Sequence, residues 1–86
     1  MRFRPGTVVA TVGALQVAIR GQLAELVRRH LAGDWGEVGP ADAAANEQAV
    51  THGERILSAY TVKGERLWVL TEADRSATTV LTPGEY

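Results

Sequence analysis

His30, Arg75 and the pair Thr78–Thr79 are the residues of this 86-residue chain whose types can do chemistry together. An imidazole exchanges protons near neutral pH. A guanidinium holds a phosphate through two parallel hydrogen bonds. A threonine hydroxyl can orient either group. Brought together in a cleft, they suit metal-free cleavage of RNA. The 2′-hydroxyl attacks the neighbouring phosphate, while the protein moves protons and stabilises charge. Each residue also has a structural reading. His30 follows Arg28 and Arg29 at the end of a helical stretch, where cations suit the helix dipole. Arg75 lies close to Glu72 and Asp74 and can balance local charge. The threonines are ordinary strand residues.

A wider polar set borders the same elements. Asp34 and Trp35 sit in the loop after the helix, Arg55 and Ser58 on the first strand of a C-terminal meander, and Thr71 and Glu72 at its last turn. All six are candidates for binding a partner or substrate. Trp35, set among glycines, is either a lid over the core or an exposed anchor. Arg55 is expected opposite Glu72, as a cross-strand ion pair. No metal or cofactor is expected. The chain has no Cys, its two His stand 22 residues apart, and it has no phosphate-cradling glycine loop and no nucleophile elbow.

The elements that must position these residues follow from periodicity. "GTVVAT" (Gly6–Thr11) is short, β-branched and bounded by glycines, which predicts an edge strand. Leu15, Ile19, Leu23, Leu26, Val27 and Leu31 recur at spacings of three and four, so a helical region presents one apolar stripe. Gly21 is expected to bend or split it, with the second half over 22–32 and Gly33 just past its end. A glycine-rich loop runs to Pro40. A short helix then starts from Asp42 as N-cap, continues to about Val50 and ends at His52-Gly53. Three strands complete the chain: 54–62, 66–71 and 77–82. A tight hairpin turn is expected at Lys63–Glu65, and a two-residue turn at Lys63-Gly64 would set the register of the first two strands. It would place Ile56, Ser58 and Tyr60 on one face with Leu67, Val69 and Thr71. The fold class is α+β, one domain over 1–86, with N-terminal helices packed on a three- to four-stranded antiparallel sheet.

Composition suits an ordinary globular protein, with 45% apolar and 22% charged residues. The longest apolar runs are too short to cross a bilayer, and the first residues lack the apolar region of a signal peptide. Absence of Cys fits a reducing cytoplasm. Net charge is −1, a handicap for an RNA-cleaving protein. Residues 1–30 carry +4 and residues 31–86 carry −5. The basic third is either a solvated helix face or a surface for phosphate.

"RHLAGDWGEV", Asn46, "RILSAY" and "LWVLTEADRSATTVLTPGEY" resemble stretches of a group of small proteins encoded on bacterial plasmids, phages and integrated elements. The resemblance covers about Thr7 to Tyr86 and implies a mobile-element, cytoplasmic setting. It implies no particular activity. A weaker likeness of layout links the chain to the barnase, colicin and RelE-like ribonucleases. Three functions follow as expectations. The first is an accessory protein that binds a host or defence protein, using exposed residues such as Trp35 and Tyr86. The second is an RNase-like toxin, or its inactive relic, using His30, Arg75 and Thr78 or Thr79. The third is DNA binding through Arg20, Arg28 and Arg29. Open sheet edges also allow homo-oligomers.

Overall fold

The computed structural model describes all residues, 1–86. Strand β1 (Thr7–Ala10) leads into helices α1 (Val12–Val17), α2 (Arg20–Leu31) and α3 (Pro40–His52). Strands β2 (Ile56–Val62), β3 (Glu65–Thr71) and β4 (Ala77–Leu81) follow, and the chain ends in a 3₁₀ turn over Pro83–Glu85. The α+β class stands, but the sheet is mixed. Its strand order is β1-β4-β3-β2. β2, β3 and β4 form the expected antiparallel meander, whereas β1 pairs parallel to β4. Three helices and two strands intervene between β1 and β4, so nothing forces the reversal that a hairpin imposes. The helices are also not strictly N-terminal, because β1 precedes them.

Lys63 and Gly64 both take positive φ, 54° and 78°, as a two-residue primed turn requires. That turn delivers the expected register: Ile56 opposite Thr71, Ser58 opposite Val69, Tyr60 opposite Leu67. The face carrying these residues and Val80 packs on Ala14, Ala18, Leu23, Leu26 and Val27 to make the main core. The other face carries Trp68. The Tyr86 ring stands edge-on to it at 5.5 Å, so the C-terminal turn rather than a helix partly covers that side.

The helical region breaks before Gly21, at Ala18 and Ile19. Ala18 and Ile19 are extended, and Gln22 Oε1 accepts from the Ile19 N–H to start α2. The break turns Ala14 and Ala18 into the core and leaves Leu15 and Ile19, the first members of the apolar stripe, exposed. α3 starts at Gly39-Pro40 rather than at Asp42. Pro40 has the fixed φ and missing N–H that the first helical position favours. Asp42 lies in the first turn, where an acid suits the dipole. The ends match expectation: Gly33 (φ 89°) follows α2 and Gly53 (φ 74°) caps α3.

The two edges of the sheet differ. On β2, the Asn46 amide donates to the Leu57 carbonyl at 2.8 Å and accepts from its N–H at 3.2 Å. Beside it, the Ala59 N–H donates to the Trp35 carbonyl and the Ala59 carbonyl accepts from the Glu37 N–H. These contacts imitate another strand. They require Gly36, whose φ is 72° and whose absent Cβ would lie 2.1 Å from the Ala59 carbonyl oxygen. Along β1, the Thr7 N–H donates to the Ser76 carbonyl just before β4, and the N–H of Thr11, just after β1, donates to Val80 of β4. Alternation therefore turns the N–H and C=O of Val8 and Ala10 outward. No other segment covers them.

Gly36→Ala is expected to destabilise the fold by about 2–4 kcal/mol, because the new methyl strikes backbone in a strained conformation. Gly21→Ala, with open space around it, should stabilise by about 0.5–1 kcal/mol. Urea unfolding of the two variants measures the opposite signs. Equal effects would show that Gly36 is not a contact point.

Candidate functional site

Four of the residues marked by sequence meet in one place, inside the protein. His30, Ser58, Thr71 and Thr78 are each 0% exposed. His30 comes from the last turn of α2, and the others from the inner face of β2, β3 and β4. Nδ1 of His30 lies 2.6 Å from Ser58 Oγ, and Nε2 lies 2.9 Å from Thr71 Oγ1. Thr71 Oγ1 is 2.7 Å from Thr78 Oγ1, which donates to the Pro5 carbonyl at 2.8 Å.

The direction of each bond from Pro5 back to His30 follows from the end of this chain. A carbonyl only accepts, so Thr78 must donate to Pro5. Its single proton is then committed, and Thr71 must donate to Thr78. The Thr71 oxygen therefore accepts from His30, which fixes the proton on Nε2. Burial and the nearby Arg75 charge disfavour a second ring proton, so Nδ1 is bare and accepts from Ser58. The imidazole is neutral, and both of its nitrogens are satisfied within the protein. Burial and the positive charge of Arg75 push its pKa down from 6.5 to about 4.

Aromatic rings close around the imidazole. Phe3 stands edge-on at 5.2 Å and Trp35 at 6.1 Å, and Phe3 stacks on Trp35 at 6.2 Å. Trp35 is 7% exposed, so it is a lid over the core and does not stand out as an anchor. Its indole N–H donates to Glu47, which also pairs with Arg2. These two donors hold the Glu47 carboxyl down at about 2.

Arg75 is committed elsewhere. Its Nη1 donates to the carbonyls of Glu54, Glu72 and Ala73, and its Nη2 to the carbonyl of Ala49 in the last turn of α3. The guanidinium lies 5.5 Å from the Phe3 ring centroid. It therefore ties the β3–β4 connection to the end of α3. Its φ of 60° is costly for a residue with a side chain. The four carbonyl bonds offset that strain. His30 and Arg75 both lie against Phe3, but neither lines a pocket, so they share no cleft.

The remaining marked residues are structural neighbours. Asp34 pairs with Arg29 at 2.6 Å, and its carbonyl accepts from Tyr60 Oη at 2.5 Å. Arg55 stands 3.9 Å from Glu72, as the register implied, and donates to Tyr86 Oη. Thr79 lies half-buried on the outer sheet face. Of the arginines on α2, Arg28 pairs with Glu25 and Arg29 with Asp34, which leaves Arg20 alone.

A feature not marked by sequence lies at the other end of the sheet. Val8 (50% exposed) and Val9 (45%) stand beside Leu15 (51%) at the open edge of β1. Between β1, α1 and α2 runs a groove of about 520 Å³, lined by Val8, Ala10, Leu15, Leu23, Val27 and Arg20 among others. The signal for it was present in the short edge strand and in two stripe residues, Leu15 and Ile19. The break at Ala18 is what turns those two outward.

The neutral imidazole makes a pH prediction. Between about pH 6.5 and 4 the unfolded chain binds a proton at this histidine and the folded chain does not. Stability should therefore fall as pH drops through that window, by up to about 3 kcal/mol. The His30→Gln variant should lose this slope, and a slope retained in that variant would overturn the assignment. In ¹⁵N NMR, Nε2 should carry the proton and Nδ1 should appear bare. Thr71→Val leaves the Nε2–H unpaired and should cost about 1–3 kcal/mol.

Comparison with protein-family models, with curated proteins and with solved structures found no match, so the reading of this surface rests on its own geometry.

Proposed function

We propose that this protein is a small protein-binding module that receives an extended segment of its partner along the open edge of β1. The observation that carries this reading is the pairing of an unused backbone ladder at Val8 and Ala10 with an apolar groove directly beside it. Strand addition needs both parts. The backbone groups supply hydrogen bonds, and a groove receives every second side chain. The other edge of the sheet is occupied by Asn46 and by the Trp35–Glu37 segment. β1 also carries none of the devices that blunt an exposed edge apart from its shortness, having no proline, charge or bulge within Thr7–Ala10. In the mobile-element setting that the sequence resemblance implies, the partner is a host or defence protein and the chain is an accessory factor.

A photo-crosslinking amino acid at Val9, in cells of a bacterial host, tests the reading. It should capture a discrete partner that the same probe at Lys63, at the far end of the β2–β3 hairpin, does not. Val8→Pro removes one outward N–H without touching the ladder to β4. It should abolish the crosslink while leaving the fold and its melting temperature nearly unchanged. A Val9 crosslink that survives Val8→Pro would rule out strand addition.

A further inference from the structure

Arg20 occupies the first position of α2, on the rim of the β1 groove, and is exposed. Its local setting is unfavourable. The positive end of the helix dipole lies there, and a cation at that end is destabilising by about 0.3–1 kcal/mol. The first turn of α2 holds no acid to offset it, and Arg20 is in no ion pair. The other arginines of the basic third are mostly spent: Arg2 on Glu47, Arg28 on Glu25, Arg29 on Asp34. Only Arg4 shares the condition of Arg20. It is exposed, unpaired and three residues before β1. No carboxylate lines the groove. Glu85, beyond the far end of β1, is held by the Thr11 hydroxyl, the Gly13 N–H, and the N–H and hydroxyl of Thr82.

These charges discriminate between occupants. A second copy pairing β1 against β1 would set the patch against itself. Two unpaired Arg20 would then share one interface with no carboxylate among the groove residues, and like charges in one interface oppose association. A segment from another protein that brings an acid removes the misfit.

We infer that the strand received by β1 is an extended segment of another protein, apolar at alternate positions and bearing a carboxylate that pairs with Arg20. This rests on the strand-addition reading and names the chemistry of its partner. Backbone groups of the segment meet Val8 and Ala10. Its inward side chains lie over Leu15 and Leu23, and its acid lies at the α2 end of the groove.

Two labelled peptides test it on the purified chain. Each alternates valine and threonine, and N-methyl groups on its outer edge prevent self-assembly. One is flanked by glutamate and the other by lysine. By fluorescence anisotropy at low salt, the glutamate peptide should bind at least about tenfold more tightly than the lysine peptide. Arg20→Glu places an acid where the helix favours one, so the fold is kept. It should reverse the preference, and Val8→Pro should abolish binding of both. Equal affinity for the two peptides, or a preference unchanged by Arg20→Glu, overturns the carboxylate inference and leaves strand addition standing. Binding of neither peptide overturns the inference, while the crosslink at Val9 separately decides the broader reading. Sedimentation showing a dimer that Val8→Pro dissolves also overturns it, because the occupant is then a second copy.

Discussion

The carbonyl of Pro5 accepts one hydrogen bond, from Thr78, and the inner polar chain is ordered by that acceptor. Because the bond has only one possible direction, so have the bonds behind it, Thr71 to Thr78 and His30 to Thr71, and the neutral ring then accepts from Ser58. The chain crosses from the N-terminal segment through β4, β3 and α2 to β2. Each unsatisfied member would leave a buried polar atom without a partner, which costs more than the bond itself contributes. The network therefore sets the relation of α2 to the sheet more narrowly than the apolar core can. Leucine and valine contacts tolerate small shifts, whereas a hydrogen bond of 2.6 Å does not. It also explains why the imidazole stays neutral. A second ring proton would bring a charge into a pocket walled by Phe3 and Trp35.

Arg75 performs the corresponding task at the edge of that pocket. α3 is weakly apolar and buries only Asn46 and Ala49. Its attachment is therefore mainly polar. Asn46 grips the free edge of β2, Glu47 grips Trp35 and Arg2, and Arg75 takes the carbonyl of Ala49. A guanidinium carries five donors in a rigid fork, so one side chain can serve several carbonyls at once. Arg75 accepts an unfavourable backbone conformation to reach them. The same property that made it a candidate phosphate ligand in the sequence makes it a carbonyl clamp in the structure.

Much of this was legible in the residues, though not its meaning. The Lys63-Gly64 turn set the register of β2 and β3, and with it the faces of Ser58 and Thr71. The Arg55–Glu72 pair followed from the same register. Ser58, Thr71 and Thr78 are conspicuous as polar residues inside apolar strands, and His30 as an imidazole at a helix end. Sequence does not say whether such residues line a cleft or one another, because that depends on pairings far apart in the chain. The parallel partnership of β1 with β4 joins residues about 70 positions apart, and no local pattern encodes it. The helix break at Ala18 escaped for a different reason. Gly21 is the stronger breaker by propensity, but burial of Ala18 decides the position. That break in turn moves Leu15 and Ile19 from the expected core to the surface.

The two sheet edges show how selectively the fold spends its polar groups. A sheet of four strands has two edges, and both present unpaired backbone to water. On β2, an asparagine amide and a glycine-hinged segment occupy the outward groups of Leu57 and Ala59 in turn. That covering is expensive in local freedom, since Gly36 must adopt positive φ and Trp35 must be drawn into the core. Nothing equivalent protects Val8 and Ala10. α1 and α2 lie close to β1, yet they meet it with a groove instead of a lid, and the rim carries an arginine where the helix dipole favours an acid. If exposure at this edge were merely tolerated, the adjoining side chains would be expected to be polar and the helix start acidic. Both are the reverse. An open ladder, apolar flanks and an unneutralised cation at one place are the three features on which the proposed strand addition rests.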